Sequence, residues 1–218
     1  MLRLFLCVMV SFITVQISAQ AAVTLVSNIA NPKGEEDRVF EGYSQYQSFQ
    51  TGSSAATIQG IQLSFGYVGN PSGIGVAVFS DVNGQVGSAL ASFAPVGAPG
   101  SMSYQNYDFS GSLNVNANTN YWVVLSATGG TSGFGGTPWY SQNYVSFTGD
   151  VSEVGLAGWT LANSYWTSEN GYYGEPSSLS EHSGNSIQMT ISGSVPEPSS
   201  LSLLVLGIGS LALLRRRI

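Results

Sequence analysis

Ile61-Gln62-Leu63-Ser64-Phe65 alternates apolar and polar side chains with a period of two, the pattern of a strand with one face in a core and the other in water. The same alternation returns in Ile74-Gly75-Val76-Ala77-Val78 and in Ile187-Gln188-Met189-Thr190-Ile191-Ser192. Residues 121–125, Tyr-Trp-Val-Val-Leu, are apolar at every position, which marks a central strand covered on both faces. Residues 23–27, 45–51, 103–109 and 145–148 supply further strands. Turn residues separate these runs at short intervals, as in Asn70-Pro71-Ser72-Gly73 and Asp81-Val82-Asn83-Gly84. No window carries the 3.6-residue period of a long amphipathic helix, and no repeat of solenoid length is present. The expected fold is all-β: an antiparallel β-sandwich or jelly roll of roughly eight to ten strands in two packed sheets.

Both ends of the chain read as addresses. Residues 1–21 have the order of a secretory signal peptide, with Arg3, an apolar core from Leu4 to Val15, and the small-residue site Ala19-Gln20-Ala21. At the other end, Val195-Pro196-Glu197-Pro198 interrupts any strand or helix, because proline lacks an N–H and biases its predecessor away from helix. Residues 199–214 then carry no charge, and Arg215-Arg216-Arg217 follow. Sixteen helical residues reach about 24 Å against about 30 Å of hydrocarbon, enough for a short transmembrane helix. The arginines hold the C-terminus on the cytoplasmic side, leaving residues 22–194 outside as a single domain. A plain tail anchor is one explanation of this tail.

Val195-Pro196-Glu197-Pro198, the short apolar segment and the arginine cluster together resemble the PEP-CTERM sorting signal of Gram-negative, biofilm-forming bacteria, whose tails also circulate under an ice-binding label. The resemblance implies transient anchoring in the inner membrane and recognition by a membrane-embedded exosortase. It also implies cleavage near the motif, and transfer to the cell surface or the extracellular polysaccharide. No regular Thr-x-Thr array accompanies it, so the ice-binding label is not read as an activity. Within the outer domain, Gln47-Ser48-Phe49, Thr51-Gly52-Ser53, Ile61-Gln62-Leu63, Val78-Phe79-Ser80-Asp81 with Gly84 and Gly87, and the run from Leu113 to Leu125 resemble the choice-anchor R domain of bacterial surface proteins. That resemblance implies a surface role and transfers no catalytic residue.

Composition narrows the chemistry. Residues 22–194 hold two cations, Lys33 and Arg38, against eleven carboxylates, a net charge of −9 that cannot neutralise a phosphate backbone; nucleic acid is excluded as a partner. Cys7 is the only cysteine and lies in the signal peptide, which removes disulfides, thiol catalysis and thiolate metal sites from the mature domain. His182 stands alone without a Gly-x-Ser-x-Gly elbow, and two-histidine metal motifs are impossible. Glu153, Glu169, Glu175 and Glu181 are read as solvated loop carboxylates rather than a glycosidase pair. Asp81 and Asn83 form a weak calcium candidate beside the stronger reading of Asn83-Gly84 as a hairpin turn. The glycine-rich residues 128–137 lack the Gly-Lys-Ser/Thr ending of a phosphate loop.

Aromatic residues are dense between 139 and 173: Trp139, Tyr140, Tyr144, Trp159, Tyr165, Trp166, Tyr172 and Tyr173. Exposed rings with polar rims suit sugars, and Trp159, Trp166, Tyr172 and Tyr173 are the glycan-binding candidates; core packing is the alternative for each. The expectation is a non-enzymatic, surface-sorted protein with a structural or adhesive role and no cofactor. Its expected partners are the exosortase, the membrane before processing, and extracellular polysaccharide or other surface proteins. The alternatives are a carbohydrate-binding module and, behind it, a polysaccharide-active enzyme.

Overall fold

In the computed structural model, residues 21–40, 43–68, 73–97, 104–127, 143–150, 152–168, 180–181 and 185–196 are described. Ten strands of five residues or more are present: β1 (Val23–Ser27), β3 (Tyr43–Gln50), β4 (Ala56–Val68), β5 (Ile74–Val82), β6 (Gln85–Pro95), β7 (Gln105–Val115), β8 (Asn120–Ala127), β9 (Asn143–Thr148), β11 (Thr160–Ser168) and β14 (Met189–Ser194). Four short strands complete the set: β2 (Glu36–Val39), β10 (Val154–Gly155), β12 (Ser180–Glu181) and β13 (Ser186–Ile187). The described residues contain no α-helix. Residues 1–20 of the expected signal peptide and the apolar run 199–214 lie outside them.

Pairing runs without a break in the order β10-β1-β14-β4-β7-β6-β5-β8-β3-β11-β12, with β9 joining β4 to β2 and β13. All pairs are antiparallel. The all-β antiparallel class is therefore present as one sheet that curls back on itself. Strand β6 makes the bend: Phe93 still pairs with Val76 of β5, whereas Ala94 and Pro95 pair with Ser110 and Phe109 of β7.

Alternation decides which face turns inward. Ile61, Leu63 and Phe65 are fully buried, as are Met189 and Ile191, and Val76, Val78, Tyr121, Val123 and Leu125 complete the same core from the opposing wall. Strand β8 lies between β5 and β3, and in its run 121–125 the other two side chains, Trp122 and Val124, are buried on the outer face. The strand is thus covered on both sides, as its unbroken apolar run requires.

On the side of the curl away from β6, the two walls meet through side chains. Gln47 is fully buried on the inner face of β3. Its Oε1 accepts the Ile187 N–H at 2.8 Å, and its Nε2 donates to the Ala162 carbonyl of β11. Ser164 of β11 donates to the Asn185 carbonyl from its N–H at 3.2 Å and from its hydroxyl at 2.7 Å. Two residues along β3, Gln45 donates to Asp37 Oδ2 at 2.9 Å, and the Tyr43 hydroxyl donates to the same oxygen at 2.9 Å. Burial first, and then the Asp37 charge, raise the Tyr43 hydroxyl far above its ordinary pKa, so it remains a donor at any physiological pH.

The alternating run 187–192 is split at Gln188, whose backbone bonds Ser146 of β9 and Ser64 of β4 instead. Asn28 spans the interruption: its Oδ1 accepts the Met189 N–H at 2.7 Å, and its Nδ2 donates to the Ile187 carbonyl at 3.0 Å. Further along β14, a Cβ at Gly193 would run into the Thr57 carbonyl of β4, so only glycine permits the register shift there.

Two stability predictions follow from these contacts. Gln47→Leu keeps the volume but strips the Ile187 N–H of its acceptor inside the core, and a loss of about 2–3 kcal/mol in urea unfolding is expected; a change under about 0.5 kcal/mol would show that the seam is not held by this amide. The second concerns Glu153, whose Oε1 accepts the Leu161 N–H at 2.6 Å. Partial burial raises its pKa above 4.5, and the Leu161 bond only partly opposes this. The folded state thus favours the neutral acid, a contribution fully present below pH 4.5 and lost as pH rises through the folded value. Glu153→Gln keeps the acceptor and should melt higher than the parent at pH 7, with the two curves converging by about pH 4.

Candidate functional site

Sequence reasoning placed the glycan candidates in the late aromatic stretch, of which the structure describes Trp159 and the backbone of Trp166. Trp159 is 5% exposed, and its ring stacks on Phe49 at 6.2 Å and 8°, so it takes the core alternative and offers no platform. The physical reason is the tight turn before it: Gly158 adopts φ +81°, the Trp159 N–H bonds the Leu156 carbonyl at 3.1 Å, and the indole is folded inward over Gly52. Trp166 belongs to β11, opposite Gln45 of β3 and Ser180 of β12. Tyr172, Tyr173, Trp139, Tyr140, His182, Glu169 and Glu175 lie outside the described residues.

The calcium candidate resolves into a turn. Asn83 and Gly84 have φ values of +56° and +79°, the two left-handed residues of a tight hairpin between β5 and β6. Asp81 holds it: Oδ2 accepts the Gly84 N–H at 3.0 Å, and Oδ1 accepts the Trp122 indole N–H at 2.8 Å. Among the described residues, no three His, Cys, Asp or Glu side chains gather as a metal group would require.

That Asp81–Trp122 contact leads to a site that the sequence reading did not assemble. On the outer face of the sheet, Ser48 of β3 stands directly opposite Trp122 of β8, and Tyr165 of β11 stands opposite Tyr46 of β3. Trp122 and Tyr165 meet edge to face at 5.4 Å and 64°. Ser48 and Ala162 are small, and the space they leave beside the two rings is a cleft of about 240 Å³. Gln50, Asn120, Thr160 and Asp81 rim it with amide, hydroxyl and carboxylate groups. Trp122 is nearly buried, at 3% exposure, and is fixed by Asp81, whereas Tyr165 is half-buried and Gln50, Asn120 and Thr160 are exposed.

The signal for this cleft was present in part. Residues 121–125 are apolar on both faces, which requires something to cover Trp122 on the outside; the partner, Tyr165, is forty-three positions away and is brought there by the β3–β11 register.

Of the sorting motif, Val195 packs partly against the core immediately after β14 and Pro196 is exposed, while Glu197, Pro198 and Arg215–Arg217 lie outside the described residues. No curated protein matches the chain. The choice-anchor R resemblance of residues 23–192 finds no support. Residues 194–217 match the PEP-CTERM protein-sorting motif, which implies exosortase-dependent sorting of an exported protein.

Proposed function

We propose that the outer domain is a non-enzymatic structural or adhesive component of the cell surface or exopolysaccharide matrix, delivered there by exosortase processing of its tail. The observation that carries this reading is the sorting motif at residues 194–217, beginning where β14 ends. In this reading residues 1–21 direct export and residues 199–214 cross the inner membrane, with Arg215–Arg217 on the cytoplasmic side. Cutting near Pro196 then frees a domain whose last strand is already complete, because every residue of β14 precedes Pro196. A second reading, a carbohydrate-binding module, is favoured by the cleft between Trp122 and Tyr165.

The test is the C-terminus of the protein outside the cell. Mass spectrometry of the extracellular form is expected to find a chain ending near residue 196, and Pro196→Ala combined with Glu197→Ala should trap the uncut form in the membrane fraction. Extracellular protein that still carries residues 199–217 would overturn the processing step, and a mature form confined to the periplasm would overturn the surface role.

A further inference from the structure

We infer that the cleft between Trp122 and Tyr165 binds a single neutral pyranose ring of a glycan. The inference deepens the second reading above and rests on the matrix role only for the source of the sugar. Size sets the first limit: about 240 Å³ lies below the roughly 300–1,000 Å³ of sites for drug-sized ligands, and suits one sugar ring with its neighbours projecting into solvent.

Chemistry sets the second. The apolar surface is the half-buried ring of Tyr165, held in place by the nearly buried Trp122 it meets at 64°, and it suits the C–H face of a pyranose. The opposite rim carries Gln50, Asn120 and Thr160, which both donate and accept, as ring hydroxyls demand. An aliphatic ligand would leave that rim without use.

Charge sets the third. Among the described residues no lysine, arginine or histidine lines the cleft, and the carboxylate they supply, Asp81, would repel a phosphate, sulfate or uronate. A lone carboxylate is also too few ligands for a bare divalent cation. Asp81 is held by two neutral donors, the Trp122 indole at 2.8 Å and the Gly84 N–H at 3.0 Å. A carboxylate has about four lone-pair positions, so it retains capacity for a sugar hydroxyl while staying fixed in place. Such pre-ordering lowers the entropic cost of binding.

The experiment is saturation-transfer NMR on the full chain in a sugar-free detergent, lauryldimethylamine oxide. The probes are the methyl pyranosides of glucose, galactose, mannose and N-acetylglucosamine, with glucuronate as the charged counterpart. Transfer to the ring C–H protons of at least one neutral sugar and none to glucuronate is expected. Gln50→Ala, at an exposed position, should weaken transfer with an unchanged melting temperature, and Tyr165→Ala should reduce it roughly tenfold. No transfer to any neutral sugar, transfer that survives both substitutions, or equal transfer to glucuronate would overturn the site. Matrix-located protein that shows no transfer overturns the cleft alone; a sugar-binding protein never released from the membrane overturns the sorting reading alone.

Discussion

A sheet that curls on itself must be held where its backbone ladder stops, and here buried amides hold it. Strand β3 turns Tyr43, Gln45, Gln47 and Phe49 inward, yet only the last belongs to the main apolar cluster. Gln45 and Gln47 reach across the interior and bond Asp37, Ala162 and Ile187 on other elements. In a low dielectric each such bond is strong, and each missing partner is costly, so these amides select one closure of the curl over its neighbours. A glutamine suits the task because it offers a donor and an acceptor without charge. The core residues of both walls stay dry only while that seam is shut.

The outer face shows the same economy of charge. Trp122 would strand an indole N–H under Tyr165 were Asp81 not beside it, and Asp81 is in position because the Asn83-Gly84 turn returns its N–H to the second carboxylate oxygen. A hairpin turn, a covered tryptophan and the wall of the cleft are therefore one connected unit. The cleft inherits its rigidity from the sheet beneath, while its small floor residue, Ser48, provides the room.

How much of this was legible follows from the physics of each element. Strands with one buried face announced themselves: residues 61–65 fall inside β4, and 23–27 coincide with β1. Strand β6 was missed because it is largely exposed and rich in small residues, leaving no alternation to read. The interruption at Gln188 was invisible too, since it depends on Asn28, one hundred and sixty residues upstream. Trp159 fell to the core because a left-handed glycine turned it inward. Local pattern predicts strands well; which distant rings share a face is a matter of register, and register is written in turns and bulges that sequence shows only faintly.

Strand β14 lies between β1 and β4 and is laddered on both flanks, and the chain leaves it directly at Val195. Any load applied through the tail therefore pulls along the axis of an interior strand. Bonds on both sides are strained together, in shear, instead of peeling open one after another as they would at an edge. Val195 and Pro196 add a leash of at most about 7 Å. A pull on the C-terminus therefore enters this domain through a strand that is hydrogen-bonded on both flanks.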